Sequence, residues 1–162
     1  KKTVLENLKL AAPAQPGESF YKIWFHPGQV KQKEKEIEEK AREILDFLNL
    51  SHLKDNYCDT LSGGQKKLLE IGRTIMADSS LIFMDEPLAG VNPALGEEIS
   101  EYLLELKKEG RTLLIIEHNI KSIMDLSDKV YVMNEGKIIA RDEPASIQQN
   151  KEVIAAYLGS GE

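Results

Sequence analysis

"LSGGQKKLLEIGRTIMADSSLIFMDEP" occupies Leu61–Pro87. Its two ends decide the fold. Ser62 precedes two glycines and a run with apolar residues at helical spacing, so it predicts a capped helix start. Leu68, Leu69, Ile71, Ile75 and Met76 form the buried stripe of that helix. Leu81-Ile82-Phe83-Met84 is continuous and apolar, which predicts a strand covered on both faces. Asp85 and Glu86 then fall at the C-terminal end of that strand, and Pro87 stops it. A helix whose first N–H groups are free attracts anions. Carboxylates at a strand's C-terminal end sit where ligands of open α/β sheets gather.

Outward from this stretch, the first half of the chain reads as helical. Thr3–Leu10 predicts a short helix, with Thr3 as N-cap and Glu6 as its capping-box partner. Residues 11–30 hold an irregular insert, in which Phe20, Tyr21, Trp24 and Phe25 lie among prolines and glycines. Ile37, Ala41, Ile44, Leu45 and Leu48 mark an amphipathic helix with a charged, solvated start. Beyond Pro87 the pattern alternates. Leu95, Ile99, Leu103 and Leu106 mark a long helix that Gly110 ends. Thr112–Ile116 is a second apolar strand, also expected to be covered on both faces. A helix follows around Ile120–Met124, then a hairpin turned at Asn134-Glu135-Gly136, then short helices from Pro144 and at Val153–Leu158. Strand, helix, strand implies a crossover and parallel pairing. The expected class is α/β.

Composition narrows the function. A net charge of −6 disfavours a general nucleic-acid binder. Hydrophobic residues at 41% and charged residues at 30% suit a globular domain. Neither a signal peptide nor an apolar run of about 18 residues is present, so a membrane role is expected to go through a partner protein. The single cysteine, Cys58, excludes an internal disulfide and is expected to be a small buried or half-buried filler.

Each candidate also has a plain structural reading. Ser62-Gly63-Gly64 alone is a capped turn. Asp85 and Glu86 alone are solvated acids at a strand end. One of them can hold Mg²⁺ through water, while the other orients or deprotonates a water. His118, in "IIEHN" after the second strand, is alone a loop or cap histidine. At that sheet edge it can also sense a terminal phosphate. His26 and His52 have no such setting, and no Cys/His cluster suggests zinc.

The combination carries more than its parts. "LSGGQ", "LIFMDEP", "LAGVNP" (Leu88–Pro93) and "IIEHN" follow in order, Asp85 standing 23 residues after Ser62 and His118 33 after Asp85. Together they resemble the ATPase subunits of ABC transporters. "TVLENL", "EHNIKSIMDLSDKVYVMNEGKIIA" and "EVIAAYLG" are similar to the branched-chain amino-acid uptake branch. The resemblance implies a partial P-loop NTPase (ABC ATPase) fold, with a mostly parallel sheet flanked by helices and an α-helical subdomain. Residues 1–77 would be that subdomain and 78–162 the later part of the RecA-like core. ATP and Mg²⁺ are the implied cofactors.

The roles implied are specific. Asp85 would support the metal. Glu86 would be the general base, and His118 would contact the γ-phosphate. Ser62, Gly63, Gly64 and Gln65, with Asn92 nearby, would close on ATP held by a second subunit in a head-to-tail dimer. Asn92 departs from the aspartate often found at that position. Transmembrane permease subunits are the other implied partner, at the inner face of a membrane. The resemblance leaves two rivals open: a lipopolysaccharide-type export ATPase, and a non-catalytic interaction module that kept the fold.

One element of such a site is not in these residues. No G-x-x-x-x-G-K-[ST] stretch occurs in the chain. In this family that loop precedes everything seen here, so the chain is expected to be the C-terminal two-thirds of an ATPase. Alone, it is expected to hold Mg-ATP weakly or not at all, to turn over little or no ATP, and to associate, exchange domains or rearrange strands through unpaired strand edges.

Overall fold

The computed structural model describes residues 1–13 and 27–158. The aromatic insert, with Phe20, Tyr21, Trp24 and Phe25, lies outside the described residues. The chain divides into two compact units, Lys1–Leu114 and Ile115–Glu162.

Helix α1, Val4–Lys9, opens the first unit. Its capping box forms as expected: Glu6 N–H donates to Thr3 Oγ1 at 3.2 Å and Thr3 N–H to Glu6 Oε2 at 2.9 Å. Backbone bonds from Val4 to Asn56 (2.9 Å) and from Leu5 to Lys54 (3.0 Å) tie this end to a distant connector. Cys58 is half-buried, and its thiol donates to Thr3 O at 3.4 Å. Burial pushes that thiol's pKa up.

Helix α2 spans Pro27–Phe47. Pro27 and Gly28, expected in the irregular insert, belong to its first turn instead. Proline is well suited there, because the first helical N–H has no partner to lose. Ile37, Ala41, Ile44, Leu45 and Leu48 are buried, as their spacing requires. Asn49 ends the helix with a left-handed φ of 54°. Leu50 N–H then reaches back to Leu45 O at 2.8 Å, and Asn49 N–H to Asp46 O at 3.1 Å.

Helix α3, Gly63–Met76, buries Leu68, Leu69, Ile71, Gly72, Ile75 and Met76. It packs against α1 and α2. Gly72 permits this close approach. A Cβ there would stand 2.9 Å from Leu48 Cδ1, 3.2 Å from Leu8 Cδ1 and 3.3 Å from Ile44 Cγ2.

Strand β1, Leu81–Asp85, leads through α4, Pro93–Lys108, to β2, Thr112–Ile116. The two strands are neighbours in one sheet. Gly110 ends α4 at φ 87°, with Arg111 N–H bonding back to Leu106 O at 3.2 Å. The side chain of Arg111 then fastens the turn before β1. It donates to Ser79 O at 3.0 Å and to Asp78 Oδ1 at 3.1 Å. That hydrogen bond, together with Lys40, holds the Asp78 carboxyl below the usual carboxylate range.

The expectation that both strands are covered on two faces is not met. In β1, Ile82 and Met84 are 3% and 9% exposed, but Leu81 and Phe83 are 46% and 66% exposed. Leu114 and Ile116 of β2 are exposed too. An apolar run records that both faces are greasy, not how many layers cover them. Among the described residues, this sheet has two strands and one covered face.

The second unit holds α5, Ile120–Leu126, and an antiparallel hairpin of β3, Val130–Asn134, and β4, Lys137–Asp142. The described strands thus pair as two separate two-stranded sheets. Glu135 (φ 48°) and Gly136 (φ 76°) both take left-handed backbone, the pattern of a two-residue type I′ turn. Helix α6, Pro144–Gln148, and α7, Lys151–Val153, follow. The last expected helix is present, the end of α7 continuing as a π-helix over Ile154–Leu158. Val130, Ile147 and Val153 form the core of this unit, with Ile123, Met124, Val132 and Ile139 packed around them.

Candidate functional site

Ser62 caps α3. Its Oγ accepts from Gln65 N–H at 3.2 Å, while Gln65 Oε1 accepts from Ser62 N–H at 2.9 Å. The capping box was not foreseen as such, though S-x-x-Q is its sequence sign. It consumes the Gln65 N–H and fixes the turn. The N–H groups of Gly63 and Gly64 are not consumed by this box. The two glycines differ in surroundings. A Cβ at Gly63 would meet nothing within 4 Å. A Cβ at Gly64 would overlap Leu95 Cδ2.

Asp85 is the last residue of β1 and is exposed. Glu86 follows with φ 45°, a left-handed backbone unusual for a non-glycine residue. Such conformations cost on the order of 1–3 kcal/mol and persist where surrounding structure imposes them. Here Ala89 N–H closes a tight turn onto Glu86 O at 3.1 Å. That turn sends the two neighbouring acids away from a straight strand path. Asn92 then caps α4, its Oδ1 accepting from Leu95 N–H at 2.9 Å.

Asp85 shares a shallow cleft of about 150 Å³ with Lys67, Glu70, Ile71 and Thr74 of α3, and with Phe83, Met84 and Pro87. Of the α3 residues, Ile71 was read only as core, and Lys67, Glu70 and Thr74 were not singled out in the sequence. Their 67, 70, 71, 74 spacing is that of one helix face and could have marked them. The cleft is smaller than the ~300 Å³ at which small-molecule pockets begin, so it cannot enclose a nucleotide by itself.

His118 belongs to the second unit. It is exposed, in the segment between β2 and α5, and its N–H donates to Glu117 Oε2 at 3.3 Å. Asn119 beside it caps α5 by accepting from Ser122 N–H at 3.1 Å. Within the first unit, Ser62–Gln65 open α3, Asp85 and Glu86 lie at the end of β1, and Asn92 caps α4; Asp85 shares its cleft with the 67–74 face of α3. His118 is placed within its own unit.

Residues 1–89 match the family model described as "ABC transporter", and residues 137–162 match that of the "Branched-chain amino acid ATP-binding cassette transporter". The chain belongs to the ABC transporter family. Two archaeal relatives, each titled "Probable branched-chain amino acid transport ATP-binding protein LivG", are 46% identical to this ABC chain. The one from Archaeoglobus fulgidus is matched over 99% of the chain and 61% of its own length. The one from Methanocaldococcus jannaschii is matched over 97% and 62%. The chain therefore spans about three fifths of these relatives. The "Lipopolysaccharide export system ATP-binding protein LptB" of Haemophilus influenzae is more distant, at 36% identity over 75% of the chain and 50% of the relative. Among solved structures, the ADP conformation of an ATP-binding cassette of an ABC transporter superimposes with a TM-score of 0.75 and 44% identity. It covers 98% of this chain and 63% of the other. The fold is thus a partial P-loop NTPase fold of the ABC type.

Donor chemistry bears on what this ABC site can hold. Among the described residues no three His, Cys, Asp or Glu side chains form a metal cage. One exposed carboxylate at a strand end suits a hydrated Mg²⁺, which keeps most of its waters and takes the rest of its ligands from phosphates. The capped start of α3 suits phosphate oxygens. The residues fit a phosphate–metal ligand shared with other protein groups. Among the described residues, no helix is long and apolar enough to cross a membrane.

Proposed function

We propose that this chain carries part of the ATP-hydrolysing, energy-coupling subunit of a branched-chain amino-acid importer. The observation that carries the reading is that α3 opens on a capped glycine turn and β1 ends in two consecutive acids, the second on left-handed backbone. The match of residues 137–162 to the branched-chain amino-acid cassette supports import over export.

In this reading Asp85 would hold Mg²⁺ through one of its waters, and the ion would supply neutralisation of phosphate charge. Glu86 accepts a proton from the attacking water. His118 donates to the terminal phosphate. Ser62, Gly63, Gly64 and Gln65 face the nucleotide of a second subunit across a head-to-tail dimer, and Asn92 lines that interface. Hydrolysis proceeds by positioning and electrostatics. Residues 1–77 form the helical subdomain and 78–162 the later part of the core. The subunit sits at the cytoplasmic face of the membrane, on permease subunits.

Reconstitution tests this reading. A subunit that carries these residues together with a phosphate-binding loop, assembled with branched-chain amino-acid permease subunits in vesicles, is expected to drive ATP-dependent leucine uptake. Assembly only with a lipopolysaccharide-export membrane pair, and no uptake, would replace importer by exporter. The 162-residue chain alone is expected to bind Mg-ATP no tighter than about 1 mM, roughly −4 kcal/mol, and to self-associate through the uncovered apolar strand face. Calorimetry and light scattering read both. Micromolar binding by a clean monomer would show that the described residues form a complete site.

A further inference from the structure

Three helices of the first unit end alike. Two residues past α2, α3 and α4 the chain turns through left-handed backbone, at Asn49 (φ 54°), Asp78 (φ 55°) and Gly110 (φ 87°). The N–H of each bonds back three residues, to Asp46 O at 3.1 Å, Ile75 O at 3.1 Å and Lys107 O at 3.0 Å. Glycine is the residue this backbone favours, because it has no Cβ to strain. A Cβ on Gly110 would meet nothing within 4 Å, so backbone alone accounts for glycine there. Asparagine and aspartate tolerate the same backbone at some cost.

The two side chains that stand in place of glycine both reach away from their own helix. Asn49 Nδ2 donates to Glu98 Oε1 at 3.1 Å and to Tyr102 Oη at 3.2 Å, both on α4. Tyr102 O–H donates to the same Glu98 oxygen at 2.6 Å, and the Phe47 and Tyr102 rings lie 4.8 Å apart. Asp78 Oδ1 accepts from Arg111, just past the end of α4, at 3.1 Å, and pairs with Lys40 of α2 at 3.5 Å. The Arg111 side chain is 16% exposed and also donates to Ser79 O at 3.0 Å, so it is held in place for Asp78. Helices α1, α2 and α3 pack on one another. Asn49 and Asp78 thus join that bundle to α4 and to the turn that follows it. At its other end α4 is fixed to Asn92, whose Oδ1 accepts from Leu95 N–H and whose carbonyl accepts from Gly96 N–H, each at 2.9 Å.

We infer that Asn49 and Asp78 are latches that seat the bundle of α1, α2 and α3 on α4, and that these side-chain bonds are why glycine is absent from their two turns. Through α4 the latches steady the loop from Glu86 to Asn92. The consequence for hydrolysis rests on the nucleotide site proposed above; the latches themselves do not.

Glycine substitution isolates the side chain, because it keeps the turn. Thermal unfolding of this chain compares Asn49→Gly in the parent and beside Glu98→Ala, and Asp78→Gly in the parent and beside Arg111→Ala. Independent sites would add. Each glycine substitution is expected to shift the midpoint about 2–4 °C further downward in the parent than in the chain that lacks the partner. Equal shifts in both backgrounds would mean that the turns need only left-handed backbone, and would overturn the inference. Should Glu98→Ala or Arg111→Ala not fold, Tyr102→Phe and Lys40→Ala give the same comparison with the same two outcomes. Hydrogen exchange reads the link to the loop. With both glycine substitutions present, the N–H groups of Ala89, Leu95 and Gly96, which bond to Glu86 and Asn92, are expected to exchange about tenfold faster. Unchanged exchange at those three positions would overturn the link between the latches and the loop. Both readouts stand whether or not the assembled subunit shows Glu86-dependent hydrolysis, whose absence would sink the nucleotide-site reading alone.

Discussion

Glu86→Gln is expected to lower ATP hydrolysis by the assembled transporter by about 10²–10⁴-fold, the range a positioned general base contributes. Glutamine keeps the shape and most of the polarity of the side chain but cannot accept the proton. It also tolerates the same backbone to a similar degree, so the left-handed turn at φ 45° should survive. ATP binding and dimer closure should therefore persist while turnover stops. Single-turnover kinetics on the complex separate these steps. Turnover within tenfold of the parent, with normal binding, would remove Glu86 from the base role. It would leave the left-handed backbone as a turn-forming device alone. Asp85→Asn makes a useful contrast. It should weaken the Mg²⁺ dependence of binding itself, because the role proposed for Asp85 is to orient a metal-bound water rather than to take a proton.

Leu48→Ala is expected to destabilise the chain by about 2–5 kcal/mol, the usual cost of emptying a fully buried leucine site. Leu48 is 0% exposed. Its Cδ1 covers Gly72, where α1, α2 and α3 converge. Gly72 itself offers no side chain to fill the space left behind. At about 2–4 °C per kcal/mol for a chain of this size, the midpoint of thermal unfolding should drop by about 4–20 °C. Denaturant titration by circular dichroism measures it. A change below 1 kcal/mol would mean that α1, α2 and α3 are not packed as described. Phe47→Ala, one residue earlier, makes a control. Phe47 is 37% exposed and should cost less, mainly through its ring contact with Tyr102.

Most local structure was legible before any coordinates. Thr3 and Glu6 announce a capping box because their spacing matches one helical turn. Ile37 to Leu48 and Leu68 to Met76 repeat at the period of a helix face, and those residues are buried. Gly110 stops α4 because glycine takes left-handed backbone cheaply. Asn134-Glu135-Gly136 turns a hairpin because the turn needs two positive φ angles. Order and spacing of the four motifs then place the chain in its family. All of these are properties of neighbouring residues, set by backbone sterics, hydrogen-bond reach and periodicity.

Contacts between distant segments were not legible. Nothing near Gly64 says that Leu95 lies over it, or that Asn49 meets Glu98 and Tyr102. Such pairs depend on how whole helices seat, which is decided by the summed packing of many side chains. The same is true of β1. Its apolar run states a capacity for burial, and only the arrangement of layers decides that Ile82 and Met84 are covered while Leu81 and Phe83 are not. Glu86 is the sharpest case. A glutamate does not favour left-handed backbone, so its conformation is imposed by the turn between β1 and α4. The sequence by itself determined the helices, the caps, the hairpin and the family. Tertiary structure alone decided which glycine of the pair is packed and which is open, because that difference lies in a leucine thirty-one residues away.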